Sequence, residues 1–422
     1  MNIEIHPHIL QGQLRAIASK SQGHRCMIAA ALSNEPTTIR ISSFSKDIEA
    51  TLNVIDALGA VSTQISEDVL KIDPIGKPQA TAFLNCGESG STLRFLFPVA
   101  AALGGREYTF TGGGKLPERP MDPLLREVRQ KGITVKGEKL PLKIGGKLKP
   151  GKFTLPGDIS SQFISGLLFA LPLLEGDSEI EITTPTQSKA YIDMTLDTLK
   201  LFGVKIEEEK NGYFIKGAQT YKSPGFIEVE GDWSNAAFWF TAGALGGPVT
   251  LTGLDLDSSQ GDKKILDILK TMGAEVEAAP EAITVRKGKL QGCEIDAGEI
   301  PDLVPILSVA AAAAEGATVI KNARRLRIKE CDRLFAMEQL LSLLGVEVQG
   351  TEDGLIIKGG VIDGGKTDSF NDHRIAMSGA IASVVAKGPI IITGAEAVDK
   401  SYPGFFKDLQ RLGGLANVLY LR

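Results

Sequence analysis

Two landmarks recur along the whole chain at one period, and few folds accommodate a period so long. Polar residues that open Ala-rich helical stretches stand at Ser21, Ser89, Ser161, Asp232, Asp302 and Asp372, spaced 68, 72, 71, 70 and 70 residues apart. Glycines that close a second helical stretch stand at Gly59, Gly132, Gly203, Gly273, Gly345 and Gly413, spaced 73, 71, 70, 72 and 68 apart. Self-similarity at a fixed period marks a repeat architecture, and this period exceeds that of the common solenoids. Each repeat holds two helical stretches and several strands, enough for a small layered module. Three modules fall in residues 19–228 and three in 229–422. Residues 223–232 read as turn, strand, turn at the midpoint, so crossovers between the halves are expected near residues 18 and 229. An alternating strand over Asn2 to Leu10 precedes the first repeat and is expected to join the second half.

The conspicuous polar clusters sit where first helices begin. They are Lys20-Ser21 through Arg25, Glu88-Ser89-Gly90-Ser91 through Arg94, Ser160-Ser161-Gln162, Ile300-Pro301-Asp302 and Asn371-Asp372-His373-Arg374. A helix N-terminus carries unpaired N–H groups and about half a positive charge. It therefore favours anions, phosphates above all. Ser, Asp and Asn at such places are also ordinary N-caps. Capping does not explain why a basic residue follows within two turns in three of the six repeats. Several such termini directed at one cleft would make an anion-binding cavity.

Composition excludes other classes. A chain of 422 residues outgrows a single core, which fits two domains. Net charge is −5 and no Lys/Arg run occurs, so nucleic acid is not an expected partner. No stretch approaches the roughly 20 apolar residues of a membrane span, and residues 1–6 run directly into a strand with no signal peptide. A cytoplasmic protein is expected. Cys26, Cys86, Cys293 and Cys331 form no C-x-x-C pair, and only His6, His8, His24 and His373 complete the soft ligands. No metal site and no disulfide framework are expected.

Taken in order, nine constellations carry a resemblance. They are Lys20-Ser21-x-x-x-Arg25, Ser89-Gly90-Ser91-x-x-Arg94, Leu116-Pro117-Glu118-Arg119-Pro120, Ser160-Ser161-Gln162, Ser188-x-x-Tyr191, Pro301-Asp302, Lys329-Glu330-x-x-Arg333, Asn371-Asp372-His373-Arg374 and Lys400-Ser401-Tyr402-Pro403. End to end the chain resembles the 5-enolpyruvylshikimate-3-phosphate synthase family of enolpyruvyl transferases. The resemblance implies an α/β (α+β) fold of two similar domains. Each would hold three β-α-β-α-β-β units (an inverse α/β barrel), with the active site in the interdomain cleft. It implies transfer of the enolpyruvyl group of phosphoenolpyruvate to the 5-hydroxyl of shikimate 3-phosphate, without metal or organic cofactor. Glyphosate is the expected inhibitor and a monomer the expected state.

The resemblance also implies roles. Lys20, Ser21, Arg25, Ser160, Ser161, Gln162, Ser188, Asp302 and Lys329 match positions around shikimate 3-phosphate. Lys20, Gly90, Arg94, Arg119, Gln162, Arg333, Arg374 and Lys400 match positions around phosphoenolpyruvate. Asp302, Glu330 and Lys20 match the acid/base groups. The residue types suit the chemistry independently. Both substrates are phosphorylated carboxylates, for which Arg offers bidentate recognition and Lys a point charge or a proton. Addition to C2 of phosphoenolpyruvate needs a proton taken from the hydroxyl and one given to C3; elimination of phosphate then reverses the carbon step. Two acid/base groups are therefore required: Asp302 for the hydroxyl, and Glu330, with Lys20 competing, for carbon. On its own, Glu330 reads as a helical i,i+3 ion pair with Arg333.

Gly23 and His24 stand where the family usually has Ser and Asn. Glu88 and Arg325 each stand where many members have Asn. A UDP-N-acetylglucosamine enolpyruvyl transferase would open with Lys-Asn and carry a catalytic Cys in the loop that here reads Gly112 to Arg119 without one. A non-catalytic scaffold would have no need of Lys329-Glu330-x-x-Arg333.

Overall fold

The repeat reappears in how strands associate. In the computed structural model, which describes residues 1–78 and 80–419, each of six four-stranded sheets is a parallel pair followed by two antiparallel partners. In the second repeat, strand Thr81–Asn85 runs parallel to Glu107–Thr111, which is antiparallel to Leu142–Gly146, itself antiparallel to Ile133–Lys136. Parallel neighbours need a crossover, which the intervening helix supplies. The third and fifth repeats are built identically.

Three sheets take a strand from elsewhere in the chain. Phe226–Glu228 fills the leading position of the first repeat, parallel to Thr37–Arg40, with Ile227 opposite Ile39. Gly12–Arg15 fills that position in the fourth, parallel to Val249–Thr252. Asn2–His6 lies between Ile390–Thr393 and Leu415–Leu419 in the sixth. The strand expected over Asn2–Leu10 is thus shorter, ending at His6, and a second strand, Gly12–Arg15, follows it in another sheet. Pro7, which lacks an N–H, follows its last residue. The chain divides into two compact units, Ala18–Val229 and Met1–Ile17 with Glu230–Arg422, each with its own hydrophobic core.

The unit Ala18–Val229 contains helices α1 (Lys20–Ala31), α2 (Lys46–Leu58), α3 (Gly90–Leu103), α4 (Asp122–Gln130), α5 (Ser161–Ala170) and α6 (Lys189–Leu201). The other contains α7 (Trp233–Leu245), α8 (Ile265–Met272), α9 (Val304–Ala312), α10 (Arg333–Leu343), α11 (His373–Ala382) and α12 (Phe405–Arg411). First helices are core. Every residue of α7, α9 and α11 is buried, and these helices touch pairwise. A helix apolar all round belongs inside, and small residues allow the close packing. In the first unit a Cβ on Gly166 of α5 would collide with the Arg94 carbonyl of α3. Second helices are closed by the periodic glycines, and all six have positive φ, between 73° and 114°. That left-handed turn is available to Gly without steric cost, which is why this landmark keeps its period. Among the described residues no helix is long and apolar enough to cross a membrane.

Candidate active site

The helix starts are capped nearly as expected. Ser89, Asp232 and Asp372 are N-caps, accepting from Thr92 N, Asn235 N and Arg374 N. Ser19 and Ser160 take that part for α1 and α5, leaving Ser21 and Ser161 inside the first turn. Asp302 is not an N-cap residue: it lies in a 3-10 turn, Pro301–Leu303, that leads into α9. Its carboxylate meets cations from other elements.

Those partners form a largely buried charge cluster. Arg333, 1% exposed, donates from Nη1 to Asp302 Oδ1 (2.8 Å), from Nη2 to Glu330 Oε2 (2.8 Å) and from Nε to Asp372 Oδ2 (2.7 Å). Arg374 Nη2 donates to Asp302 Oδ2 at 3.1 Å, and Lys329 Nζ stands 3.6 Å from Oδ1. Burial alone would raise the Asp302 carboxyl, but Arg374, Lys329 and Arg333 together hold it well below the usual carboxylate range. Burial lowers Lys329 to about 8, against the pull of Asp302. The Glu330–Arg333 i,i+3 pair does form. Glu330 precedes α10 rather than lying within it, so the pair is a partly buried site contact and not a solvated helical one. Lys400, 7% exposed, donates to the Asn371 carbonyl at 2.6 Å. Phe370 and Asn371 precede Asp372 at φ 50° and 55°. Such left-handed non-glycine residues cost about 1–3 kcal/mol each and persist where their surroundings hold them.

In the unit Ala18–Val229, Arg25 is 2% exposed and all three of its side-chain nitrogens donate. It donates from Nε to Thr195 Oγ1 (2.9 Å), from Nη1 to the Ser21 carbonyl (2.6 Å) and from Nη2 to the Tyr191 carbonyl (2.7 Å). Its guanidinium lies over Phe95, 4.9 Å from the ring centroid, and burial lowers it to about 10. Arg94 donates to Gln162 Oε1 (2.8 Å) and the Pro120 carbonyl (2.9 Å), while Gln162 Nε2 donates to Ser91 Oγ (3.0 Å). These contacts bring α3, α5 and the segment after Arg119 together. Lys20 pairs with Asp47 of α2 at 2.8 Å. Ser188, 2% exposed, precedes α6 at φ 56°.

The divergent positions have local partners. His24 Nδ1 meets Thr51 Oγ1 at 2.7 Å, Arg325 Nη2 donates to the Gly298 carbonyl at 2.9 Å, and the Glu88 carboxylate packs over Gly114. Two carboxylates, Asp47 and Asp262, escape notice in the sequence, and a third, Asp372, reads only as a helix start. Asp47 looks like an ordinary first-turn acid of α2, and Asp372 like a simple cap. Asp262 donates no recognisable pattern, yet it is 3% exposed, accepts from Ser234 Oγ, and is pushed up to about 6 by burial and then by the Asp302 charge.

Similarity to known proteins spans the same residues. The family model of EPSP synthase (3-phosphoshikimate 1-carboxyvinyltransferase) matches residues 6–409. A 3-phosphoshikimate 1-carboxyvinyltransferase of Clostridium novyi is 47% identical over 427 aligned positions, covering 98% of each chain. That of Clostridium acetobutylicum is 48% identical, covering 98% of this chain and 97% of its own. The EPSP synthase of Acinetobacter baumannii superposes with a TM-score of 0.81 at 29% identity, covering 99% of this chain and all of that one. With the family model spanning residues 6–409 and relatives matched over nearly the whole chain, the chain belongs to the EPSP synthase (3-phosphoshikimate 1-carboxyvinyltransferase) family.

Proposed function

We infer that this chain transfers the 1-carboxyvinyl group of phosphoenolpyruvate to the 5-hydroxyl of shikimate 3-phosphate and releases phosphate, by addition and elimination through a tetrahedral intermediate. This is a step of the shikimate pathway toward chorismate and the aromatic amino acids. The observation that carries the reading is Asp302 gripped by Arg333, Arg374 and Lys329 within a full-length match to the family.

Ser21, Arg25, Ser160, Ser161, Gln162 and Ser188 are assigned to shikimate 3-phosphate, with Lys20, Asp302 and Lys329 beside it. Arg94, Arg119, Arg333, Arg374, Lys400, Lys20, Gln162 and Gly90 are assigned to phosphoenolpyruvate. In the free protein Asp302 is a weak base, because three cations stabilise its ionised form. A substrate carboxylate or phosphate competing for Arg333 and Arg374 would withdraw that stabilisation. Asp302 would then gain proton affinity just as the 5-hydroxyl must lose its proton. Glu330 and Lys20 are the candidates for proton exchange at C3. Glyphosate is proposed to occupy the phosphoenolpyruvate pocket, and the protein to act as a cytoplasmic monomer.

The test is phosphate release from phosphoenolpyruvate. It should depend on shikimate 3-phosphate and be indifferent to EDTA. Release that proceeds instead with UDP-N-acetylglucosamine, or with no acceptor, would overturn the reading.

A further inference from the structure

We propose that His24 is a positioning residue for the phosphoenolpyruvate end of the site, acting through a buried hydroxyl chain that ends on the cap of α3. The chain runs across three helices. His24 Nδ1 of α1 lies 2.7 Å from Thr51 Oγ1 of α2, and Thr51 Oγ1 lies 2.6 Å from Thr92 Oγ1 of α3. Thr92 Oγ1 in turn donates to Ser89 Oγ at 2.8 Å. All four side chains are at most 1% exposed.

One arrangement of protons follows. Thr92 has a single hydroxyl proton, and it goes to Ser89. Thr51 must therefore donate to Thr92, and can only accept from His24. His24 is thus the neutral tautomer protonated on Nδ1, and it starts the chain. Burial, then the charges of Lys20 and Arg25, keep the ring neutral. Among the described residues Nε2 has no hydrogen-bond partner, so Nδ1 holds the ring's one polar anchor. At the other end Ser89 Oγ also accepts from Thr92 N at 3.2 Å, closing the first turn of α3. That turn presents Gly90 and Ser91, with Arg94 one turn on. His24 therefore belongs to α1 by sequence and to the α3 terminus by hydrogen bonding.

The inference rests on the assignment of α3 to phosphoenolpyruvate, and the experiment separates the two. Steady-state kinetics and calorimetry would be run on His24→Phe, His24→Asn, Thr51→Val and the double variant His24→Phe/Thr51→Val, with Arg94→Lys as the control. Loss of one buried hydrogen bond in the chain should raise the KM for phosphoenolpyruvate about five- to tenfold. The affinity for shikimate 3-phosphate, whose proposed ligands Ser21 and Arg25 flank His24 on α1, should stay within about twofold. His24→Asn, whose amide can replace the Nδ1 donor, should recover most of the loss. The double variant should be no worse than the worse single one, because one chain is broken only once.

Additive losses, no loss, or a loss falling mainly on shikimate 3-phosphate would overturn the proposal and leave His24 a packing residue of α1. If His24→Phe does not fold, the near-isosteric Thr51→Val carries the same test. An unchanged phosphoenolpyruvate KM in Arg94→Lys would overturn the α3 assignment itself, and the relay with it. A raised KM there, with none in the relay variants, would overturn the relay alone.

Discussion

Gly90 faces the guanidinium of Arg119 so closely that a Cβ built on it would stand 2.7 Å from Nη1 and 2.9 Å from Cζ. Real Cβ atoms do not approach that near, so any side chain here displaces Arg119. The proposed anion pocket therefore depends on a missing methyl group at one residue to place a cation from another. Gly90→Ala is expected to act through Arg119 rather than by touching the inhibitor directly. The KM for phosphoenolpyruvate should rise and glyphosate inhibition should weaken further. Inhibition constants measured against phosphoenolpyruvate check this; unchanged values would mean that Arg119 does not serve the pocket.

Lys20→Met should abolish most turnover. The substitution removes a positive charge and a candidate proton carrier while leaving Asp47, its 2.8 Å partner, without that cation. The residue starts α1 and is only partly buried, so circular dichroism should report an intact fold. A variant that keeps more than about a tenth of the wild-type rate, a loss below ~1.4 kcal/mol, would take Lys20 out of the mechanism.

Lys329 should set an alkaline limb. Its ammonium titrates at about 8 in the free protein because it is buried. If the cation is the active form, kcat/KM should fall as pH rises through that value, since this ratio reports the free enzyme. Lys329→Arg keeps its charge at any working pH and should flatten the limb, even at reduced absolute rate. A wild-type profile level to pH 9.5 would show that the charge of Lys329 is not needed.

Asp262 should make stability fall with pH. Its folded pKa is raised from 3.8 to about 6, so between those values the folded state binds more protons than the unfolded one. Stability is therefore lost as pH rises through this window. Asp262→Asn, which can still accept from Ser234, removes the titration. Its melting temperature relative to wild type should improve between pH 4 and pH 7. A pH-independent difference would place the Asp262 titration outside this window.

What the sequence determined by itself is whatever the backbone demands locally. A second helix must end in a left-handed turn, so Gly59, Gly132, Gly203, Gly273, Gly345 and Gly413 had to be glycines, and all six have positive φ. A first helix must be capped, so Ser89, Asp232 and Asp372 mark helix starts correctly. These requirements act over a few residues and recur in each repeat, which makes them legible. Arg25, Arg94 and Arg374 were legible for the same reason, because they follow first-helix starts. Tertiary structure decided which groups from different elements meet. Arg333 finds Asp372 thirty-nine residues away, Lys20 finds Asp47, and His24 reaches α3 only through Thr51. Each of these partners reads locally as a cap, a first-turn acid or a helix-surface hydroxyl. The exchange of strands is equally non-local. Asn2–His6, Gly12–Arg15 and Phe226–Glu228 complete sheets whose other strands lie far away in the chain. Their pairing completes four-stranded sheets from distant parts of the chain, a condition on the whole unit that no short pattern can express.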